Sequence, residues 1–336
     1  MMRAISLTEP HVLTSESPTP VIGSGEVLVR PEVTAICGTD FSIVEGSIRA
    51  KYPIILGHEI AGTIVDPASS NWLKTNDRVL VNPILFCGRC SPCLNGKENI
   101  CVNGGLLGRD KNGGLAELVS VPEYSVFPLR DEVGFVDGVL VQVLSTVVHS
   151  FRRLGPTLGK SVLILGQGVT GLLFTRLAVL SGASHVVVTS RSDEKLRLAK
   201  DYGAHKTVKA SLNELTQRLE KNSFDIVVET TGKGEAMVPA STLVAPRGTI
   251  LIFGISKDTA QGLKLFDMYF KEINLLGGRA ATRLDFRDAK ELVELGKVKV
   301  DVLVSKSTDM STAFKILSGD TPVPNDSLRI IVRNQS

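Results

Sequence analysis

The sequence predicts an α/β protein of two domains, one β-rich and one built on a doubly wound parallel sheet. Three observations point there. The chain has 336 residues, too many for one core of ordinary size. Up to residue 145 its apolar residues fall in short β-branched runs broken by Gly, Pro, Asn and Asp. Beyond that, nearly continuous apolar runs alternate with amphipathic segments. That is the pattern of strands covered on both faces by helices.

In order, GEVLVRPEVTAI, HEIAGTIV, NDRVLVNP and AELVSVP read as strands of the first domain, expected over residues 1–145. VGFVDGVLVQVLSTVVHSF is the most apolar stretch, but Asp137, Gln142 and His149 interrupt it. It reads as one buried helix rather than a membrane span. SVLILG, HVVVTS, FDIVVET and GTILIFG are the parallel strands of the second domain, expected over residues 146–280, with DEKLRLAKDYG among its helices. After INLLGG, FRDAKELVELGK reads as a helix and SLRIIV as a closing strand. Residues 281–336 are expected to return to the first domain. No internal repeat or low-complexity segment is present.

Apolar residues make up 43% of the chain, enough for a sizeable core and too many for a disordered one. The formal charge is only +3 and no Lys/Arg run occurs, so nothing points to nucleic acid or to an anionic membrane surface. The N-terminal stretch MMRAISLTEPHVLTSE lacks the apolar core of a signal peptide. The cytoplasm is the expected location, and thiols there stay reduced.

Clustered cysteines in that compartment mean metal or redox chemistry. Four of the five cysteines lie in FCGRCSPCLNGKENIC: Cys87, Cys90, Cys93 and Cys101. The C-x-x-C-x-x-C spacing lets one tight loop turn several sulfurs toward a common centre, and Cys101 closes a fourth corner. A filled Cys₄ zinc site has no open position, so its role is structural. An iron–sulfur cluster has similar spacing, and plain reactive thiols are the other alternative. The fifth cysteine, Cys37, opens CGTD, and His58 and Glu59 lie in LGHEIAG. One thiolate, one imidazole and an adjacent carboxylate can form a three-ligand zinc site with a vacant position.

SVLILGQGVTGLLF places Gly166, Gly168 and Gly171 directly after a strand and at the start of a helix. In that context G-x-G-x-x-G lets the backbone approach a pyrophosphate that faces the helix N-terminus.

AICGTD, GHEIAG, the four-cysteine loop and GQGVTG, in this order and across nearly the whole chain, closely resemble the zinc-dependent medium-chain dehydrogenases/reductases. The resemblance implies a GroES-like first domain and a Rossmann second domain. It implies that Cys37 and His58 bind a catalytic zinc, that Glu59 sits beside the metal or on it, and that Thr39 relays the alcohol proton. The third ligand departs from the pattern. Alcohol dehydrogenases place a cysteine there, and polyol-dehydrogenase relatives a Glu in Glu-Pro-Leu; this chain reads VQVLSTVVHSFRR. By this resemblance the expected third ligand is Gln142, a neutral and weaker donor, or Glu59 itself, in which case Gln142 is a polar residue of the cleft wall.

The cofactor is expected to be NADP, with NAD possible. Polyol-dehydrogenase relatives often carry Asp where Ser190 stands, and Arg191 follows it. Loss of the carboxylate removes repulsion of a 2′-phosphate, which Arg191 can grip with two hydrogen bonds. The alternative is that Asp193 reaches the ribose and Arg191 faces water. Gln167, Val169, Thr170 and Gly254 complete the expected cofactor contacts. The implied reaction is hydride transfer between NADP(H) and a secondary alcohol or ketone, on a small-molecule polyol, sugar or keto-sugar derivative. An L-threonine 3-dehydrogenase-like enzyme is the alternative within the family. A zincless quinone reductase and a nucleotide-binding regulator with structural zinc only are the others. Arg109 and Arg279 are candidates to meet an acidic substrate, and relatives are commonly homodimers or homotetramers.

Overall fold

The computed structural model of the chain describes residues 1–324 and 326–334. It forms two compact units, Met1–Ser145 with Ala280–Ser336, and Thr146–Arg279. Ala280 falls with the first unit.

In the first unit, the long strand Glu26–Ile36 buries Val27, Val29 and Val33 on alternate positions. It pairs antiparallel with Glu59–Asp66, Val119–Pro122 and Arg329–Arg333. The sheet has seven strands and continues through Arg78–Val81 and Val126–Pro128 on one side and Val304–Thr308 on the other. Pro31 lacks an N–H, and the pairing register shifts beside it. Gly62 faces this point because a Cβ there would lie 2.1 Å from the Arg30 carbonyl oxygen. The closing strand is drawn in by burial of Ile330, Ile331 and Val332, all 4% exposed or less.

The apolar stretch expected as one helix is two, Phe135–Val139 and Val141–Arg152. The junction is a tight turn at Leu140, whose N–H donates to Asp137 O. Gly138 packs against Leu80 and Leu129 so closely that a Cβ would meet Leu80 at 2.8 Å. Packing against the sheet sets the chain direction there, and apolarity along the sequence carries no trace of it. Among the described residues no helix is long and apolar enough to cross a membrane.

The second unit holds a six-stranded parallel sheet: β1 (Ser161–Leu165), β2 (His185–Ser190), β3 (Lys206–Lys209), β4 (Phe224–Glu229), β5 (Val244–Ile252) and β6 (Asn274–Gly277). The spatial order is 3-2-1-4-5-6, the doubly wound order whose switch point lies between β1 and β4. Leu163, Val187, Val227 and Ile250 in the central strands are essentially inaccessible. Helix α1 (Val169–Leu180) follows β1, and α2 (Asp193–Asp201) follows β2. The edge strand β6 differs, with Asn274, Leu275 and Gly277 exposed.

Candidate functional site

Cys37 ends the long strand and caps the short helix Gly38–Val44. Its extended backbone turns the sulfur back so that Sγ accepts the N–H of Thr39 at 3.3 Å. Asp40 closes the other half of this capping box, accepting the Cys37 N–H at 2.9 Å through Oδ2. Its Oδ1 accepts the N–H of Gly57 at 3.2 Å. Gly57 has φ +89°, and a Cβ there would meet Leu115 and Thr34 below 3.0 Å, so only glycine fits this bend before His58. Ala35 pairs with Glu59 across the sheet. That register brings the end of one strand, with Cys37, to the start of the next, with His58 and Glu59.

The side chains converge. Cys37 Sγ lies 3.1 Å from His58 Nε2. The ligand atoms of Cys37, His58 and Glu59 all fall within 4.8 Å of one another. Thiolate and imidazole ligands at ~2.3 and ~2.0 Å around a tetrahedral zinc would stand about 3.5 Å apart, about 0.4 Å more than the 3.1 Å between these two atoms. His58 Nδ1 lies 3.5 Å from Asp40 Oδ1, an ion-pair contact outside good hydrogen-bond geometry. Glu59 is fully buried, and among the described residues neither oxygen has a hydrogen-bond partner. Arg329 Nη2 stands 3.0 Å from Oε1 at ion-pair distance without a suitable angle. Buried orphaned acceptors beside a thiol and an imidazole are the donor set a zinc ion needs, so the residues fit the metal.

The electrostatics agree. Burial works against a charged His58, but the Cys37 thiolate and the Asp40 carboxylate outweigh it and hold the ring well above its ordinary range. Burial lifts Glu59, against the pull of Arg329 and His58. For Asp40, burial opposes ionisation, yet His58 and the two backbone donors keep it below its ordinary value.

Thr39 is half-buried beside Cys37. Gln142 is buried in the first turn of Val141–Arg152, its carbonyl accepting Ser145 Oγ at 2.6 Å. Arg109 is bound to Asp110, with Nη2 2.6 Å from Oδ2. Two site residues escaped the sequence reading. Asp40 was legible as the acid completing CGTD, and Arg329 as one cation inside the apolar SLRIIV.

In the four-cysteine loop, left-handed Gly88 and Gly96 let the chain double back. Paired Ile84–Leu85 and Gly105–Leu106 close its base. Sulfur–sulfur distances are 3.4 Å for Cys90–Cys93, 3.6 Å for Cys90–Cys101 and 3.5 Å for Cys101–Cys87. A tetrahedron of zinc–sulfur bonds of ~2.3 Å has six edges of about 3.8 Å; these three distances approach that length, and all four sulfurs lie within 4.8 Å of one another. All four are free thiols. The Arg89 N–H, with further hydrogen bonds, pulls Cys87 down to about 6.

In the second unit Gly166 (φ +91°) turns the chain out of β1, and Gly168 caps α1. A Cβ on Gly171 would lie 2.1 Å from Gly166 O, whereas one on Gly168 would meet nothing within 4 Å. The third glycine thus serves close packing, and the second leaves the helix N-terminus open to an anion. Val169 and Thr170 open that helix. Gln167 is buried, its Oε1 accepting Thr175 Oγ1 at 3.2 Å. At the switch point, Glu229 Oε1 accepts the N–H of Thr231 and Gly232. Gly254 is so close to Gly232 that a Cβ would sit 2.2 Å from its nitrogen. Glu229 also went unnoticed in the sequence; a charged residue ending the apolar FDIVVE was its signal.

At the end of β2, Ser190 Oγ accepts the Ser192 N–H at 3.2 Å. Arg191 is exposed. Asp193 is ion-paired with Lys209 of β3.

Residues 23–131 match the alcohol dehydrogenase GroES-like domain, and residues 169–295 the zinc-binding dehydrogenase domain. D-arabinitol dehydrogenase 1 of Uromyces fabae is 32% identical over 85% of this chain and 84% of its own length. The chain belongs to the zinc-dependent medium-chain dehydrogenases/reductases. This dehydrogenase therefore has a GroES-like first unit and a Rossmann second unit, and it is an oxidoreductase acting on an alcohol. L-threonine 3-dehydrogenase of Streptomyces coelicolor is 33% identical over 74% of the chain and 75% of its own length. A Sinorhizobium meliloti protein described as a zinc-binding dehydrogenase, solved with NADP bound, superposes with TM-score 0.91 at 30% identity, covering 99% of each chain.

Proposed function

We propose that this dehydrogenase transfers hydride reversibly between NADP(H) and a secondary alcohol or its ketone, and that the substrate is a polyol, sugar or keto-sugar derivative. The convergence of Cys37, His58 and Glu59 carries the reading. Cys37 and His58 hold a catalytic zinc, with Glu59 or Gln142 as the third ligand. Cys87, Cys90, Cys93 and Cys101 hold a structural one. When bound, the catalytic metal supplies Lewis acidity toward the substrate oxygen, and the dinucleotide supplies the hydride carrier. Asp40 orients the imidazole so that Nε2 faces the thiol. Arg329 offsets the charge of Glu59. Thr39 takes the alcohol proton and passes it outward. Residues 1–145 and the C-terminal segment form the catalytic domain, and the second unit binds the dinucleotide. Ser190 and Arg191 take the 2′-phosphate. The pairing of Asp193 with Lys209 supports this, because it offsets the charge of the carboxylate that would favour NAD.

An L-threonine 3-dehydrogenase activity is the second reading, supported by the identity to the Streptomyces enzyme. A screen of polyols, keto-sugars and L-threonine, run with NADP(H) and NAD(H) before and after chelation, tests both. Turnover of a polyol or keto-sugar with NADP(H), lost on chelation and restored by zinc, is the expected result. Turnover of L-threonine alone selects the second reading. Activity that survives complete metal removal overturns the zinc mechanism, and nucleotide binding without any turnover leaves a regulator.

The enzyme is also proposed to work as a homo-oligomer. Leu265, Phe266, Tyr269 and Phe270 are 66–78% exposed on one short helix. Among the described residues the neighbouring strand β6 pairs on one side only, with β5. An apolar patch beside an unpaired strand edge is self-complementary under a two-fold axis, so a second copy is the occupant. Phe266→Asp with Tyr269→Asp is expected to give monomers by sedimentation velocity; an unchanged oligomer would rule this face out.

A further inference from the structure

We infer that Lys209 is a second determinant of cofactor choice, acting by neutralising Asp193 beside the nucleotide. The inference rests on the NADP preference proposed above. In a sheet of this order the adenosine ribose lies at the end of the second strand, where a carboxylate accepts its hydroxyls in NAD enzymes. Here that strand ends on Ser190, and the chain curls at once, with the Ser192 N–H on Ser190 Oγ. Ser192 then caps α2, its Oγ accepting the Lys195 N–H at 3.3 Å. Asp193, the first residue of α2, is the carboxylate nearest in sequence to Ser190.

Left alone, Asp193 would favour NAD in two ways. It would accept the ribose 2′-hydroxyl, and it would repel a 2′-phosphate of charge about −1.5 to −2. Lys209 opposes both. It ends β3 directly beside Ser190 in the parallel register, and from there its ammonium pairs with Asp193. The turn then presents Arg191 as net positive charge, while Asp193 is neutralised by its partner. Both members of the pair are well exposed, 58% for Lys209 and 76% for Asp193. Such pairs add little to fold stability, so the pair's effect is expected on ligand charge. A carboxylate released within several ångströms of a doubly charged phosphate in high dielectric should weaken binding about threefold to tenfold at moderate salt.

The test uses the zinc-loaded full chain and titration calorimetry with NADPH and with NADH. Lys209→Ala is expected to raise the Kd for NADPH about threefold to tenfold while leaving NADH unchanged or tighter. In an Asp193→Asn background the same substitution should have no effect on NADPH. A Lys209→Ala variant with an unaltered NADPH-to-NADH ratio overturns the inference. So does an equal loss in the Asp193→Asn background, which would mean that Lys209 touches the phosphate directly. Arg191→Ala separates this from the reading it rests on. Selective loss of NADPH upholds the phosphate site, and equal loss of both cofactors refutes the NADP preference itself, whatever Lys209 does.

Discussion

Replacing Cys37 with Ala is expected to lower kcat/KM by at least about 1,000-fold, because Lewis-acid activation of the substrate oxygen supplies several kcal/mol and each 1.4 kcal/mol is tenfold. The thiol is also a proposed ligand of the ion, so elemental analysis should show the loss of about one zinc per chain. His58→Ala should behave the same way, since Nε2 and the Cys37 sulfur are only 3.1 Å apart and serve one centre. Asp40→Asn gives a graded case. It keeps the shape under the imidazole but removes the charge, and outer-shell changes of this kind cost about 10- to 100-fold in metal affinity or activity. Full zinc content and near-normal turnover in Cys37→Ala would remove the basis of the proposed chemistry.

Cys90→Ser is expected to act on stability instead. Its sulfur contacts both Cys93 and Cys101, so losing it opens the tetrahedron. Structural zinc sites contribute folding free energy directly, on the order of 10 kcal/mol in small domains. A loop within a larger unit retains its other contacts, so a loss of several kcal/mol is expected and should appear as a lowered thermal midpoint. Zinc content should fall by about one ion per chain while nucleotide affinity at low temperature is kept. Unchanged zinc content and midpoint would reduce the four cysteines to ordinary thiols.

These two predictions rest on features of different legibility. The four-cysteine loop is local: all its ligands fall within Cys87–Cys101, and left-handed glycines inside the same segment shape it. The nucleotide turn is local too, since Gly166 and Gly171 meet each other within one strand–helix junction. The proposed catalytic cluster is not. Cys37 and His58 are 21 residues apart, and each alone is an ordinary residue; only their motifs together single them out. Asp40 and Arg329 went unread because their importance lies in what they touch. Asp40 becomes a partner of His58 only after Gly57 bends the chain, and Arg329 reaches Glu59 only when the C-terminal strand joins the sheet.

Composition, spacing and periodicity were enough for the α/β class, the alternation of strands and helices, and the candidate ligands within short motifs; the family came from the resemblance of those motifs to known dehydrogenases. Such signals are carried by neighbours in the chain, where a few residues set both backbone geometry and local chemistry. The break at Leu140, the support behind His58, the counter-charge on Glu59 and the capture of Asp193 by Lys209 emerged only on folding. Each depends on packing or Coulomb contact between segments whose separation along the chain says nothing of their distance in space.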